Sequence, residues 1–92
     1  MPLYRFFLHG RGPPTADETR GFYVTRHAYG ASEAAAAKTV LARVVADFTH
    51  GRCSAVWNNA APTLEIERAS RIGLRERFAA QNTGYVFYEN DD

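Results

Sequence analysis

The chain has 92 residues, of which 46% are hydrophobic and 13% aromatic, a composition that predicts one globular domain and excludes an intrinsically disordered chain. A formal net charge of +1 gives it no general attraction to nucleic acids or anionic membranes. The single cysteine, Cys53, excludes an intrachain disulfide, and no apolar stretch approaches the roughly 20 residues that cross a bilayer. We therefore expect one cytoplasmic domain over residues 1–92, without a signal peptide.

Two segments near the N-terminus have the aromatic and β-branched composition of strands. The first covers residues 3–9 and ends at Gly10, and the second covers residues 22–29 and ends at Gly30. The glycines and prolines between them predict a loop. They lack the spacing of a phosphate-binding motif. Alternation predicts that the core-facing side chains of the two strands include Tyr4, Phe6, Leu8, Phe22 and Val24.

An Ala-rich helix is predicted over residues 34–48. Ser32 is a good N-cap, Glu33 places a negative charge in the first turn, and Gly51 is suited to a C-terminal stop. Asp47 lies on the side that is predicted to face solvent. The predicted core-facing stripe has spacings of three and four residues and consists of Ala37, Val40, Leu41, Val44, Val45 and Phe48.

A third strand is predicted over residues 63–69, where apolar and charged residues alternate strictly. This pattern is typical of a strand with one buried face. It directs Leu64 and Ile66 toward the core and Glu65 and Glu67 toward the opposite side.

The remaining segments are less regular. Residues 52–62 predict an irregular segment in which Trp57 covers one end of the core. Residues 71–81 have loose helical spacing that is weakened by Gly73, and they predict a short helix or an irregular turn. Residues 85–88 are rich in β-forming side chains and predict the final strand.

Together these elements predict an α+β fold, with a four-stranded antiparallel sheet in the order 2-1-3-4 and one long helix packed on one face. A ferredoxin-like arrangement with two helices on that face is the alternative. In both arrangements the opposite sheet face is uncovered within a single chain. Alternation places on that face Leu3, Arg5, Phe7, His9, Tyr23, Thr25, His27, Tyr29, Glu65, Glu67, Val86 and Tyr88.

The aromatic character of this uncovered face is the main functional signal. Tyr and Phe are enriched at interfaces, although both also favour strands for local reasons. We expect a binding or assembly module that forms a homodimer or docks on a protein partner. Glu65 and Glu67 are expected to pair across strands with Arg5 or His27. The predicted binding surface consists of Phe7, Tyr23, His27, Tyr29, Glu65, Glu67 and Tyr88.

Motifs for catalysis or for a cofactor are absent from the sequence. Nucleophilic catalysis would need Cys53 or a serine beside a histidine, and a metal site would need converging ligands, but the three histidines are scattered along the chain. We therefore expect no catalytic residues, no metal and no cofactor, and a binding protein rather than an enzyme.

Two alternatives stay open. One is a small-molecule site or a minor enzyme activity around a cluster of His27, Glu65, Glu67 and Trp57. The other is binding of single-stranded nucleic acid, since aromatic sheet faces stack bases in RNA-recognition folds. The two glutamates on the face and the near-neutral charge argue against nucleic acid.

Two stretches resemble parts of small uncharacterised bacterial proteins. Residues 21–45 read GFYVTRHAYGASEAAAAKTVLARVV, and residues 84–88 read GYVFY. In the proteins that they resemble, a GFYxTR strand enters an Ala- and Glu-rich helix and a GxxFY strand follows. The opening MPLYRFFLH is similar to the start of another such group. The resemblance implies a bacterial α+β domain of unknown function, and it brings no catalytic residues.

Overall fold

Four strands and one helix form the part of the chain that the computed structural model describes, which is residues 2–11, 20–51, 62–73 and 84–89. In chain order the elements are β1 (Leu3–Arg11), β2 (Arg20–Tyr29), α1 (Glu33–Thr49), β3 (Thr63–Ile72) and β4 (Val86–Glu89). The predicted α+β class is confirmed. The described ranges contain no helix with the length and apolar composition needed to span a bilayer.

All strand neighbours in the sheet are antiparallel, and the strand order is β3-β1-β2-β4. The predicted order was wrong for β4, which pairs with β2 instead of β3. Phe87 lies opposite Phe22 in the β2–β4 register, and its ring also contacts Phe48 of the helix, with 6.3 Å between centroids. Burial of aromatic surface against the helix therefore favours the β2 edge over the more charged β3 edge.

Local sequence signals determine both ends of α1. The Ser32 side-chain oxygen accepts a hydrogen bond from the Ala35 backbone N–H at 3.2 Å, which confirms the predicted N-cap. At the other end, the backbone N–H groups of His50 and Gly51 both donate to the Ala46 carbonyl, at 2.9 and 2.8 Å. These bonds satisfy a carbonyl that the helix itself leaves unpaired.

The core lies between α1 and one face of the sheet. The fully buried helix residues are Ala36, Val40, Val44 and Phe48. The predicted stripe was therefore correct at Val40, Val44 and Phe48 and missed Ala36. Ala37 and Leu41 are half-buried but pack against the core, and Val45 is half-buried at the side of the stripe. The sheet contributes the buried side chains of Tyr4, Phe6, Leu8, Phe22, Val24 and Ala28, which include every predicted core residue of the first two strands.

A β-bulge interrupts the pairing of β1 with β3. Phe7 pairs with Arg68 and Leu8 pairs with Ile66, so Glu67 is an extra residue on β3. The bulge reverses the alternation of β3 beyond this point. Glu65 before the bulge and Glu67 within it point away from the helix, as predicted, and Arg68 after it does so as well.

Ile66 and residues 71–72 depart from the prediction. Ile66 pairs with Leu8 on the core-facing side, yet 40% of its surface stays exposed because β3 is an edge strand.

Residues 71–72 continue β3 and do not start a helix, because Ile72 pairs with Leu3 at the start of β1. Both side chains are buried, so Leu3 is not part of an uncovered surface as predicted. The other positions of the predicted turn or second helix, 74–81, lie outside the described residues.

Candidate functional site

The sheet face opposite α1, here called the open face, presents exposed apolar side chains to solvent. Val86 is 65% exposed, Tyr29 51% and Tyr23 36%. Tyr23 and Val86 lie opposite each other on β2 and β4, whereas Tyr29 lies at the other end of β2. Contiguous apolar side chains such as the first two are typical of interaction sites. The other side chains on the open face are Arg5, Phe7, His9, Arg11, Thr25, His27, Glu65, Glu67, Arg68 and Ser70.

An aromatic stack occupies the centre of the open face. Tyr23 of β2 lies opposite His9 of β1, and their rings stack with 4.6 Å between centroids and an interplanar angle of 15°. Tyr23 also stacks on Phe7, with 5.4 Å between centroids and an angle of 5°. Two of the predicted surface residues therefore lie in contact with each other. The parallel rings form a flat apolar surface that is fixed by the strand register.

A polar cluster lies beside this stack. His9 Nδ1 is 3.4 Å from Glu67 Oε1 and 4.0 Å from Glu65 Oε2, and Arg11 Nη2 is 3.6 Å from Glu65 Oε2. The prediction that these glutamates pair with Arg5 or His27 was wrong, because the β1–β3 register sets His9 opposite Glu65. His9 was missed as a polar site residue. Its position could have been found from the alternation of both strands once their register was known.

The same cluster has donor atoms that are suited to a divalent cation. The ligand atoms of His9, Glu65 and Glu67 all lie within 4.8 Å of one another. Imidazole nitrogen and carboxylate oxygen are common zinc ligands. The histidines looked scattered in the sequence, but strand pairing brings one of them to two carboxylates. Both carboxylates are about half exposed and Arg11 lies beside one of them, so the same residues also form ordinary cross-strand contacts that need no ion.

Arg5 and His27 form a second polar pair on the open face. The Arg5 Nε–H group donates a hydrogen bond to His27 Nε2 at 3.2 Å. The bond fixes the direction of the Arg5 guanidinium. A shallow depression next to this pair is lined by Arg5, Phe7, Thr25, Arg68 and Ser70.

Arg68 and Ser70 were not predicted as site residues. A strictly alternating strand that directs Leu64 and Ile66 inward would also direct residue 68 inward. The bulge at Glu67 reverses that alternation and brings Arg68 to the open face. No local sequence signal marks this bulge, since it becomes visible only from the pairing with β1.

The alternative site around His27, Glu65, Glu67 and Trp57 is not assembled by the described residues. His27 pairs with Arg5, whereas Glu65 pairs with His9, four residues further along β1. This separation corresponds to about 13 Å along a strand. Trp57 lies outside the described residues, as does Cys53.

The last predicted surface residue, Tyr88, is described through its backbone alone. It pairs with Gly21 at the outer edge of the sheet. The third histidine, His50, lies at the C-cap of α1, away from His9 and His27.

A buried polar group lies on the core side of the sheet. Arg26 is only 8% exposed, its Nη1 donates to the Thr25 carbonyl at 3.1 Å, and its guanidinium lies 4.8 Å from the centre of the Tyr85 ring. The Tyr85 hydroxyl donates to Asp47 Oδ2 at 2.5 Å. Asp47 was predicted to face solvent, but it is half-buried because Tyr85 packs across the last turns of the helix. The aromatic ring partly offsets the cost of burying the Arg26 charge.

This arrangement predicts an alkaline transition. Burial and the hydrogen bond to Asp47 raise the pKa of Tyr85 to about 12, from an ordinary value near 10. Because the folded-state pKa is raised, the stabilisation is fully present below pH 10 and is lost as the pH rises toward 12. Urea unfolding midpoints of Tyr85→Phe should therefore fall less steeply over this pH range than those of the wild type. Parallel slopes for the two proteins would contradict this environment for Tyr85.

Comparisons with known proteins identified no relative of the chain. No family model matches the chain, and no curated protein or solved structure is significantly similar to it.

Proposed function

We propose that the protein is an assembly module that binds a second copy of itself through the open face. The exposure of Tyr23, Tyr29 and Val86 on one sheet face is the observation that carries this proposal. Transfer of apolar surface from water stabilises association by roughly 25 cal/mol for each Å² that is buried. Tyrosine is well suited to such a surface because its ring is apolar while its hydroxyl can keep a hydrogen bond.

The charges of the open face favour a second copy as the partner. Glu65, which Arg11 partly neutralises, and Glu67 supply half-exposed carboxylates beside His9. Arg5 and Arg68 supply guanidinium groups toward the start of β1 and the end of β3. In a two-fold arrangement the same surface meets itself in reversed direction. The acidic part of one copy then meets the basic part of the other, which gives electrostatic complementarity without a different partner.

The resemblance in the sequence and the single cysteine support a role in the bacterial cytoplasm. The open face in this proposal needs no catalytic residue and no cofactor. Self-association would hold two helices on the outside of the assembly, since α1 packs on the other side of each sheet.

Light scattering after size-exclusion chromatography tests the proposal. We expect the wild type to have the mass of two chains at high concentration and Val86→Glu to have the mass of one, because a carboxylate at a buried apolar contact is strongly unfavourable. Ala42→Glu is the matched control, since it adds the same charge on the exposed side of α1 and should keep the dimer. A single-chain mass for the wild type at every concentration would refute self-association.

A further inference from the structure

We infer that the depression between β1, β2 and β3 on the open face is a binding site for a small aromatic anion, that is, a planar ring that carries a phosphate or carboxylate group. The inference goes beyond the proposed self-association and does not depend on it. The depression is formed within one chain, and its lining residues come from three adjacent strands.

The strand register places the lining residues next to one another. Phe7 of β1 lies opposite Thr25 on one side and Arg68 on the other, and Arg5 lies opposite Ser70. Four polar side chains thus surround one aromatic ring within a single block of the sheet. This block begins directly beside the bulge at Glu67, and from Arg68 to Ser70 the pairing with β1 is regular, so backbone pairing fixes the arrangement of the groups.

The charge of the lining selects an anion. Among the described residues, two guanidinium groups and two hydroxyl groups line the depression, and none of these lining residues is a carboxylate. Arg5 is oriented by the bond from its Nε to His27. Arg68 forms no ion pair with any residue in the described ranges, so its charge is available to a ligand. Guanidinium groups bind phosphate and carboxylate oxygens with paired, charge-assisted hydrogen bonds, and the hydroxyls of Thr25 and Ser70 can donate to the same oxygens.

The aromatic side chains of the site favour a ligand whose anionic group is attached to a planar ring. Phe7 is half-buried and lines the depression, and Tyr23 stacks on it with nearly parallel planes. A second shallow depression, lined by Phe7, Tyr23, Glu67 and Arg68, continues from the first along these rings. A planar ring placed there would stack on aromatic side chains while its anionic group reaches the two arginines.

Titration followed by NMR tests the inference, with phenyl phosphate and benzoate as probes and benzyl alcohol as the uncharged control. The titration is made at a dilution where light scattering gives the mass of one chain, so that its outcome is independent of self-association. We expect saturable shifts at Phe7, Thr25 and Ser70 with at least one aromatic anion, and none with benzyl alcohol. Inorganic phosphate should bind more weakly than phenyl phosphate, since it lacks the ring.

Two variants decide the position of the site. Arg68→Met should weaken binding about tenfold, because it removes a charge-assisted hydrogen bond but keeps an apolar side chain of similar length. Arg43→Met, on the exposed side of α1, removes the same charge and should leave the affinity unchanged. Equal losses in both variants, equal affinity for inorganic and phenyl phosphate, or no shifts with either aromatic anion would overturn the inference.

Discussion

Val44→Asp is expected to abolish folding of the chain. Val44 is fully buried in the central turn of α1, within the cluster that includes Val40 and Phe48. An ionised carboxylate at this position would lose its hydration without gaining a charged partner, at a cost of several kcal/mol. This cost is comparable with the whole stability of a small domain, which is about 5–15 kcal/mol.

Urea unfolding followed by far-UV circular dichroism measures the effect. The control is Ala42→Asp, because it introduces the same residue two positions away on the exposed side of the same helix. This control should lose less than about 1 kcal/mol, because Ala and Asp differ in helix propensity by at most about 0.7 kcal/mol. If the two variants unfold at the same urea concentration, the helix packs on the sheet through a different side.

Gly10→Ala is expected to destabilise the protein by about 1–3 kcal/mol, the usual cost of an overpacked core. Gly10 lies opposite Phe22, and the Phe22 ring covers the glycine so closely that an added Cβ would lie 2.0 Å from Cζ. Phe22 cannot move aside easily because its ring stacks on Phe48, with 4.6 Å between centroids. The glycine is thus needed for the close approach of an aromatic ring.

Gly84→Ala provides the matched control for this prediction. A Cβ at Gly84 meets no atom within 4 Å, so the same substitution should be neutral or slightly stabilising through the unfolded state. Thermal unfolding of the two variants compares them directly. A melting temperature for Gly10→Ala that equals that of Gly84→Ala would contradict the packing of Phe22 over β1.

Local patterns predicted the helix and the strands because each pattern reports a preference of a short segment. The cap at Ser32 and the spacing from Val40 to Phe48 depend on neighbours in the chain, and both predictions were correct in the structure. The position of β4 depends on a contact between segments that are far apart in sequence. Packing of Phe87 against Phe22 and Phe48 decides it, and no local pattern encodes that choice.

In the candidate site, too, local patterns predicted some features, and contacts between distant segments decided the others. Alternation alone was sufficient to assign Phe7, Tyr23 and Glu65 to the open face. The sequence could not predict which charged groups meet on the open face, because a register shift of one residue changes the cross-strand partners of a whole strand. The bulge at Glu67 also reverses the alternation of side chains along β3, which places Arg68 beside Phe7.

If the open face is the interaction surface of this protein, its side chains meet a second copy as the concentration rises. A concentration series of NMR spectra on the wild type tests this most directly, because the spectra locate the contact residue by residue. We expect the signals of Tyr23, Tyr29 and Val86 to shift with concentration, while those of Ala42 and Arg43 on the outside of α1 stay constant. Shifts confined to the helix exterior, or spectra that do not change at any concentration, would contradict the claim.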